Sequence, residues 1–271
     1  MRKRKASSIV LFVLGILFML PVFILVMNSF KTYDEVIKSF VTLPESLYLG
    51  NFAEAARLMN YGVAVRNSLF VTICTVIVCT VISFFASFGI SHLKGKKQTG
   101  FYLLFSLGQI IPFHTIMIAL SVMMTNLNMN NSLITLIILY SGFHCAFGIF
   151  TYFGFLKTVP LSLEEAATID GCGTLRLIWQ IYFPLVLPTT VTIVVLFFLW
   201  TWNDFLMPSI LISDSALRTI TVNMYIFKGS TQSNWNLFMA ALVISIIPIV
   251  IVYLFTQRYI TSGITAGAVK Q

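Results

Sequence analysis

Three carboxylates, Glu164, Glu165 and Asp170, lie within seven residues of one another in a chain that is otherwise suited to lipid. The chain is 58% hydrophobic and only 10% charged, so this cluster predicts a segment that leaves the membrane and meets a partner. Ala166 and Ala167 lie between the acids and are expected to form a flat surface of small side chains. Charge beside a flat surface is the chemistry of docking rather than of catalysis.

This acidic segment is predicted to be a short helix with marked ends. Pro160 interrupts the preceding structure, and Ser162 with Glu165 matches a capping box. Gly171 predicts a left-handed stop, and a second helix is expected to begin after Gly173. The predicted helix therefore has about eight residues and a length of about 12 Å.

The spacing around this helix resembles the EAA loop of the membrane subunits of bacterial ABC importers. The pattern is Glu165-Ala166-Ala167, three residues, Gly171, nine residues, Ile181, one residue, and Phe183-Pro184 in place of the usual Leu-Pro. The resemblance implies a loop at about 154–183 whose helix docks on an ATPase subunit. It assigns this coupling role to five residues: Glu165, Ala166, Ala167, Asp170 and Gly171.

The remaining sequence predicts an all-α polytopic membrane protein. A mean hydropathy of +0.92 over 271 residues favours one membrane domain, 1–271, over a soluble globule. Stretches long enough to cross about 30 Å of hydrocarbon predict six transmembrane helices. They lie at about 8–30, 67–90, 100–123, 133–153, 184–206 and 237–259. The first follows four basic residues, but it is too long for a signal peptide and is interpreted as a retained helix.

The distribution of lysine and arginine predicts the orientation. With both termini inside, 11 of these residues fall in inner segments and 6 in outer segments. Since basic loops remain cytoplasmic, both termini and the acidic loop are expected on the cytoplasmic side of a bacterial cell membrane. The net charge of +8 then reflects membrane topology, and the dispersed basic residues do not indicate nucleic-acid binding.

Several kinds of chemistry lack their usual sequence motifs. There is no phosphate-binding Gly-x-x-x-x-Gly-Lys-Ser/Thr loop, so the chain is not expected to be an enzyme or to bind ATP and magnesium itself. Three histidines lie on separate segments, and four cysteines lack metal-site spacing, so no metal site or other cofactor is expected. The cysteines are interpreted as small apolar fillers.

Two further segments resemble carbohydrate permeases, in particular the second, maltose-type permease subunit. One is Trp200-Thr201-Trp202-Asn203-Asp204-Phe205, which is followed by a proline at 208 that is expected to end the helix, and the other is the tail at 263–270. The resemblance covers essentially the whole chain and implies the type I importer fold. It also implies a heterodimer with a second permease, two ATP-binding-cassette subunits, and a solute-binding protein that faces the loop at 207–236.

The sequence indicates a substrate class only weakly. Gln109, Trp200 and Asn203 are candidates for the substrate path, since sugars are held by aromatic faces and neutral polar groups. Import of a non-sugar solute by an ABC system remains an alternative. An ion-coupled secondary transporter is a further alternative, although few ionisable side chains lie deep in the predicted spans. A structural membrane scaffold would move no solute.

Overall fold

The computed structural model describes residues 2–229 and 233–268, and the regular backbone in this part of the chain is helical. The predicted tail at 263–270 ends on residues that lie outside the described residues, and residues 230–232 of the loop at 207–236 lie outside them as well. In chain order the helices are α1 (Arg2–Ser29), α2 (Tyr33–Lys38), α3 (Gly50–Leu58), α4 (Tyr61–Ser91), α5 (Gly95–Gly108), α6 (Phe113–Asn126), α7 (Leu133–Leu156), α8 (Leu161–Ile169), α9 (Thr174–Leu177), a π-helical segment (Ile178–Tyr182), α10 (Phe183–Asn203), α11 (Leu206–Leu211), α12 (Ile220–Met224) and α13 (Trp235–Ala268).

Five stretches of helix in the described residues are long and apolar enough to cross a bilayer. A sixth candidate is formed by α5 and α6 together. The five are Val10–Ser29, Tyr61–Ser91, Leu133–Leu156, Thr174–Asn203 and Trp235–Phe255. Each of the six predicted stretches therefore falls on helical structure, which confirms the all-helical fold class.

The third predicted span is not one straight helix. The axes of α5 and α6 meet at 87°, with residues 109–112 between them. Pro112 is the N-cap of α6; it has no backbone N–H, and its ring disfavours helical backbone at Ile111. The expectation of a continuous span over 100–123 was wrong, because hydropathy measures apolar composition and not the direction of the backbone.

The fifth span also differs from expectation. It begins at Thr174 rather than at residue 184, and Pro184 lies inside the continuous helical stretch. A proline ring clashes with the carbonyl four residues earlier, which here belongs to Gln180 in the π-helical segment. The wider turn of a π-helix makes room for that ring, so the chain passes the proline without ending the span.

The end of α10 is set by Asp204 and not by Pro208. The backbone of Asp204 is extended, with ψ at 128°, and its Oδ1 accepts a hydrogen bond of 3.1 Å from the N–H of Leu206. Pro208 is buried in the first turn of α11, where a missing N–H removes no hydrogen bond from the helix. The predicted helix-ending role of this proline was therefore wrong.

The chain divides into two compact units, one of 1–65 with 219–250 and one of 66–218 with 251–271. In the second unit, α4 and α7 approach closely at Gly148. A methyl group at this glycine would lie 2.6 Å from Cβ of Ser83 and 3.2 Å from Cζ of Phe197. The hydroxyl of Ser87 donates a 2.9 Å hydrogen bond to the carbonyl of Ile149 across the same seam. Small residues of this kind let two membrane helices pack backbone to backbone.

Replacing Gly148 by alanine is expected to destabilise this seam by about 1–3 kcal/mol, because the new methyl group overlaps Ser83. Gly142→Ala on the same helix is the matched control, since nothing lies within 4 Å of a methyl group there. Thermal unfolding of the two purified variants in the same detergent measures the difference. Equal midpoints for the two variants would contradict the close approach of α4 and α7.

The first unit contains a buried lysine. The Lys31 side chain is fully buried, and its Nζ donates a 2.8 Å hydrogen bond to the carbonyl of Ser39. Burial lowers the pKa of Lys31, and the nearby Glu35 carboxylate opposes that shift. Glu35 accepts hydrogen bonds from the backbone N–H groups of Thr32, at 2.7 Å, and Glu45, at 2.8 Å, and these bonds lower the pKa of Glu35. The stretch between α1 and α3 is thus a specifically folded element.

Candidate coupling loop and membrane cavity

The acidic segment is a short helix, as expected, but its first residue differs from the prediction. Helix α8 begins at Leu161, one residue after its N-cap Pro160, whose φ of −64° already suits a helix start. Ser162 and Glu165 therefore lie inside the helix and form no capping box, so that prediction was wrong. The hydroxyl of Thr168 donates a 2.8 Å hydrogen bond to the carbonyl of Glu164 within the same helix.

The end of α8 agrees with the prediction. Gly171 has φ at +77°, a left-handed conformation that glycine adopts without a steric penalty. The N–H of Cys172 donates to the carbonyl of Ala167 at 2.9 Å, and the N–H of Gly171 donates to the carbonyl of Thr168 at 3.0 Å. This pair of hydrogen bonds is the Schellman motif, which turns the chain sharply. Helix α9 then begins after Gly173, as predicted.

The two alanines of α8 do not share one surface. Ala167 is buried within the chain at 8% exposure, whereas Ala166, Glu165 and Asp170 are exposed, as is Gly171. Consecutive helical residues point about 100° apart, so a face that exposes Ala166 turns Ala167 inward. The expectation of a flat docking surface built from both alanines was wrong, because Ala167 is buried against the rest of the chain.

Three large aliphatic side chains stand out on the same loop, and the sequence reading missed them. Leu161 is 73% exposed, Ile169 is 85% exposed and Leu175 is 72% exposed. They flank the exposed acids at both ends of α8 and at the start of α9. A group of exposed apolar side chains rimmed by polar residues marks a protein interface. These residues lie beside the acidic cluster, and that position in the sequence could have indicated that they are exposed.

Glu164 behaves differently from its neighbour Glu165. Its carboxylate accepts a 2.6 Å hydrogen bond from the hydroxyl of Tyr182, and both of its oxygens lie 3.1 Å from Nε2 of His92. These groups border a cavity of about 1220 Å³ that is also lined by residues from the ends of α4 and α7. Glu164 thus contacts other parts of the chain, whereas Glu165, which also lines this cavity, is exposed.

A second cavity, of about 610 Å³, brings two of the predicted substrate-path residues together. Its lining comes from α6, α7, the end of α10 and the residue that follows α10. The residues are Phe113, His114, Tyr140, Phe143, His144, Leu199, Trp200, Asn203 and Asp204. Gln109 does not line it and lies instead at the C-terminal end of α5.

The polar groups of this second cavity are held in place. The hydroxyl of Tyr140 donates a 2.6 Å hydrogen bond to Oδ2 of Asp204, and Nε2 of His144 lies 3.1 Å from the hydroxyl oxygen of Thr201. The ring of His144 stacks on Tyr140, and its centroid lies 5.6 Å from that of the half-exposed Trp200. Aromatic faces beside fixed neutral and acidic hydrogen-bonding groups suit a polyhydroxylated solute.

In the described residues, no group of three or more His, Cys, Asp or Glu side chains is placed to hold a metal ion. The four cysteines are free thiols, of which Cys79 is buried and the others partly buried. Cys74 and Cys145 pack against clusters of buried residues in the core, and Cys172 lies in the turn between α8 and α9.

The sequence of residues 80–266 matches the family described as the inner membrane component of binding-protein-dependent transport systems. The chain belongs to this family, so it is a membrane-embedded transport subunit. The chain is 38% identical over 96% of its length, and 94% of the relative's, to a probable starch degradation products transport system permease protein of Thermoanaerobacterium thermosulfurigenes. It is 32% identical over 97% of its length, and 95% of the relative's, to a diacetylchitobiose uptake system permease protein of Streptomyces coelicolor.

A solved structure supports the fold independently. A bacterial ABC transporter involved in the import of the acidic polysaccharide alginate superposes with a TM-score of 0.78 over 94% of this chain and 95% of that chain. The sequence identity is 20%, so this likeness concerns the fold, which is that of a type I ABC importer permease. The family resemblance drawn from the EAA loop is confirmed by these comparisons.

Proposed function

We propose that the chain is one permease subunit of a bacterial ABC importer for sugars or oligosaccharides. The observation that carries this proposal is the near full-length similarity to sugar permeases, together with a short helix at the position of the EAA loop that exposes Glu165 and Ala166 and ends in a left-handed turn at Gly171. Further support comes from a permease protein of a multiple sugar-binding transport system of Streptococcus mutans, which is 34% identical over 94% of this chain and 93% of the relative.

The energy for transport is proposed to come from partner subunits. Two ATP-binding-cassette subunits would bind ATP and magnesium, and a second, related permease would complete the membrane pore. An extracytoplasmic binding protein would deliver the solute, in line with a related alginate importer that was solved in complex with a pentasaccharide-bound periplasmic protein. In this arrangement the chain is no enzyme, and both of its termini lie in the cytoplasm with α8.

The ATPase contact is assigned to the outer face of α8. Glu165, Ala166 and Asp170 supply the exposed polar and small groups, and Ile169 and Leu161 supply exposed apolar area. Burial of such apolar side chains in a cleft of the ATPase contributes free energy in proportion to the area removed from water. Gly171 sets the angle at which this helix leaves the membrane domain.

The second cavity is assigned to the substrate path. Trp200 offers a ring face, while Asn203 and Asp204 offer hydrogen-bonding groups to hydroxyls. The ring of His144 is stacked between Tyr140 and Phe197 and presents its edge. ATP-driven closure of the ATPase pair would displace α8 and reopen the membrane helices toward the binding protein. For ATP to shift this equilibrium, α8 has to contact the ATPase differently in the two states.

A photoreactive residue at Ala166 tests the proposal. On ultraviolet irradiation of native membranes, capture of an ATP-binding-cassette subunit with a second permease co-purifying is the expected result. Ala166 is preferable to the buried Ala167, and Ser215, exposed in the loop after α11, serves as the control that should not capture the ATPase. Absence of any captured ATPase from an exposed probe at Ala166 would overturn the proposed coupling role and favour an ion-coupled transporter.

A further inference from the structure

Glu164, the partly buried acid of α8, contacts side chains from two other parts of the fold. Glu164 retains 24% exposure of its side chain, and its oxygens accept from Tyr182 and contact His92, as described above. A carboxylate can only accept hydrogen bonds, so Nε2 of His92 carries the proton that it donates. The three side chains therefore form one connected group, here called the Glu164 clasp.

The two partners of Glu164 are themselves fixed. The ring of His92 packs against that of Phe88, with 4.2 Å between the two centroids. Tyr182 is buried at 5% exposure, and its ring packs edge-on against Phe88 at 5.1 Å. A carboxylate between two immobilised donors is held at a defined place relative to both of their helices.

The clasp joins parts of the fold that the chain connects only distantly. Through the backbone, α8 is linked to α7 before it and to α9 and α10 after it. His92 follows the last residue of α4, and it lies 72 residues away from Glu164 in sequence. The clasp therefore adds α4, a candidate span, to the helices that a displacement of α8 can move directly.

We infer that Glu164 is a positioning residue that transmits movement of the coupling helix to α4 through His92 and to α10 through Tyr182. This inference rests on the proposed function, because it assigns a mechanical role within ATP-driven transport. The pair of Glu164 and His92 is partly exposed, and solvent screens the attraction within such pairs. The proposed role of the clasp is therefore to hold α8 in position relative to α4 and α10, and not to raise the free energy of unfolding.

The variants that test this role are Glu164→Gln and Tyr182→Phe, measured in the complete importer with its partner permease, ATPases and binding protein in lipid vesicles. Ser162→Ala is the control, because Ser162 is exposed on the same helix and belongs neither to the clasp nor to the proposed ATPase contact. Both clasp variants are expected to assemble with the ATPases and to retain basal ATP hydrolysis, but to transport about tenfold less solute per ATP. The double variant should fall no further than Glu164→Gln alone, because Tyr182→Phe removes only one of the two contacts that Glu164→Gln weakens.

A distance measurement separates this inference from the proposed function. Spin labels at Lys96 and Ala166, introduced as noncanonical residues, report the separation of the segment after α4 from α8 in the purified chain without ATPase. The clasp predicts a narrow distance distribution in the unmodified chain and a broad one in Glu164→Gln, which weakens the contact between Glu164 and His92. An unchanged distribution in Glu164→Gln, with normal solute per ATP in both variants, would overturn the inference. A broadened distribution in a chain that captures no ATPase would retain the clasp and refute the proposed function instead.

Discussion

Replacement of Gly171 by valine is expected to remove most ATP-driven transport while the chain still inserts and assembles. Gly171 has φ at +77°, where a β-branched side chain is strained by about 1–3 kcal/mol. Relief of that strain rotates the end of α8 and disrupts the two Schellman hydrogen bonds. A penalty of about 2 kcal/mol on the docked geometry corresponds to a loss of about thirtyfold in binding-protein-stimulated ATP hydrolysis and solute uptake, which are measured on the reconstituted importer.

Two variants control for effects unrelated to the turn. Gly171→Asn places a residue that tolerates the left-handed region, and it should retain most of the activity. Gly173→Val lies two residues further on, where φ is −72° and a methyl group would meet nothing within 4 Å, so transport should be unchanged. An assembled Gly171→Val importer with normal stimulated ATP hydrolysis would show that the turn does not set the docking of α8.

Replacement of Trp200 by alanine is expected to impair solute passage without uncoupling the ATPases. The indole is 41% exposed at the wall of the second cavity, and Phe147 packs edge-on against it at 5.0 Å. Loss of its ring face should reduce uptake about tenfold at low solute concentration. Labelled maltotriose, raffinose and diacetylchitobiose are suitable probes, and stimulated ATP hydrolysis measured in the same vesicles should remain.

Phe150→Ala is the matched control for this aromatic truncation. Phe150 has the same exposure of 41%, lies on α7 and does not line the cavity. Trp200→Phe keeps a ring face and should recover much of the uptake. If Trp200→Ala and Phe150→Ala transport all three probes at the same rate, the second cavity is not the solute path.

The coupling loop shows what a linear pattern can and cannot predict. The order of Glu165, Gly171 and Phe183-Pro184 was sufficient to identify the family, and the left-handed turn at Gly171 followed from residue type alone. The burial of Ala167 did not follow, because it depends on which side of α8 meets the other helices. The capping box failed for a related reason: Pro160 was already suited to begin the helix.

The residue contacts that form the Glu164 clasp and the second cavity could not be predicted from the sequence. Glu164 and His92 are 72 residues apart, and no local pattern pairs them. Trp200 and Asn203 were singled out from their own segment, but His144 and Tyr140 join them from α7 only in the folded chain. The role of these residues in transport stays a prediction, as does the separate placement of Gln109 on a substrate path.

The bend between α5 and α6 has a consequence for how this subunit is made in the cell. Hydrocarbon offers no partner to irregular backbone, so residues 109–112 need cover from protein or a water-filled path. Ile110 is 72% exposed and Ile111 is 52% exposed in the single chain, and such side chains favour a protein cover over water. A subunit synthesised without its partner permease would leave the bend between α5 and α6 uncovered. Quality-control proteases would then be expected to degrade the orphan subunit, which links its lifetime to the supply of its partner.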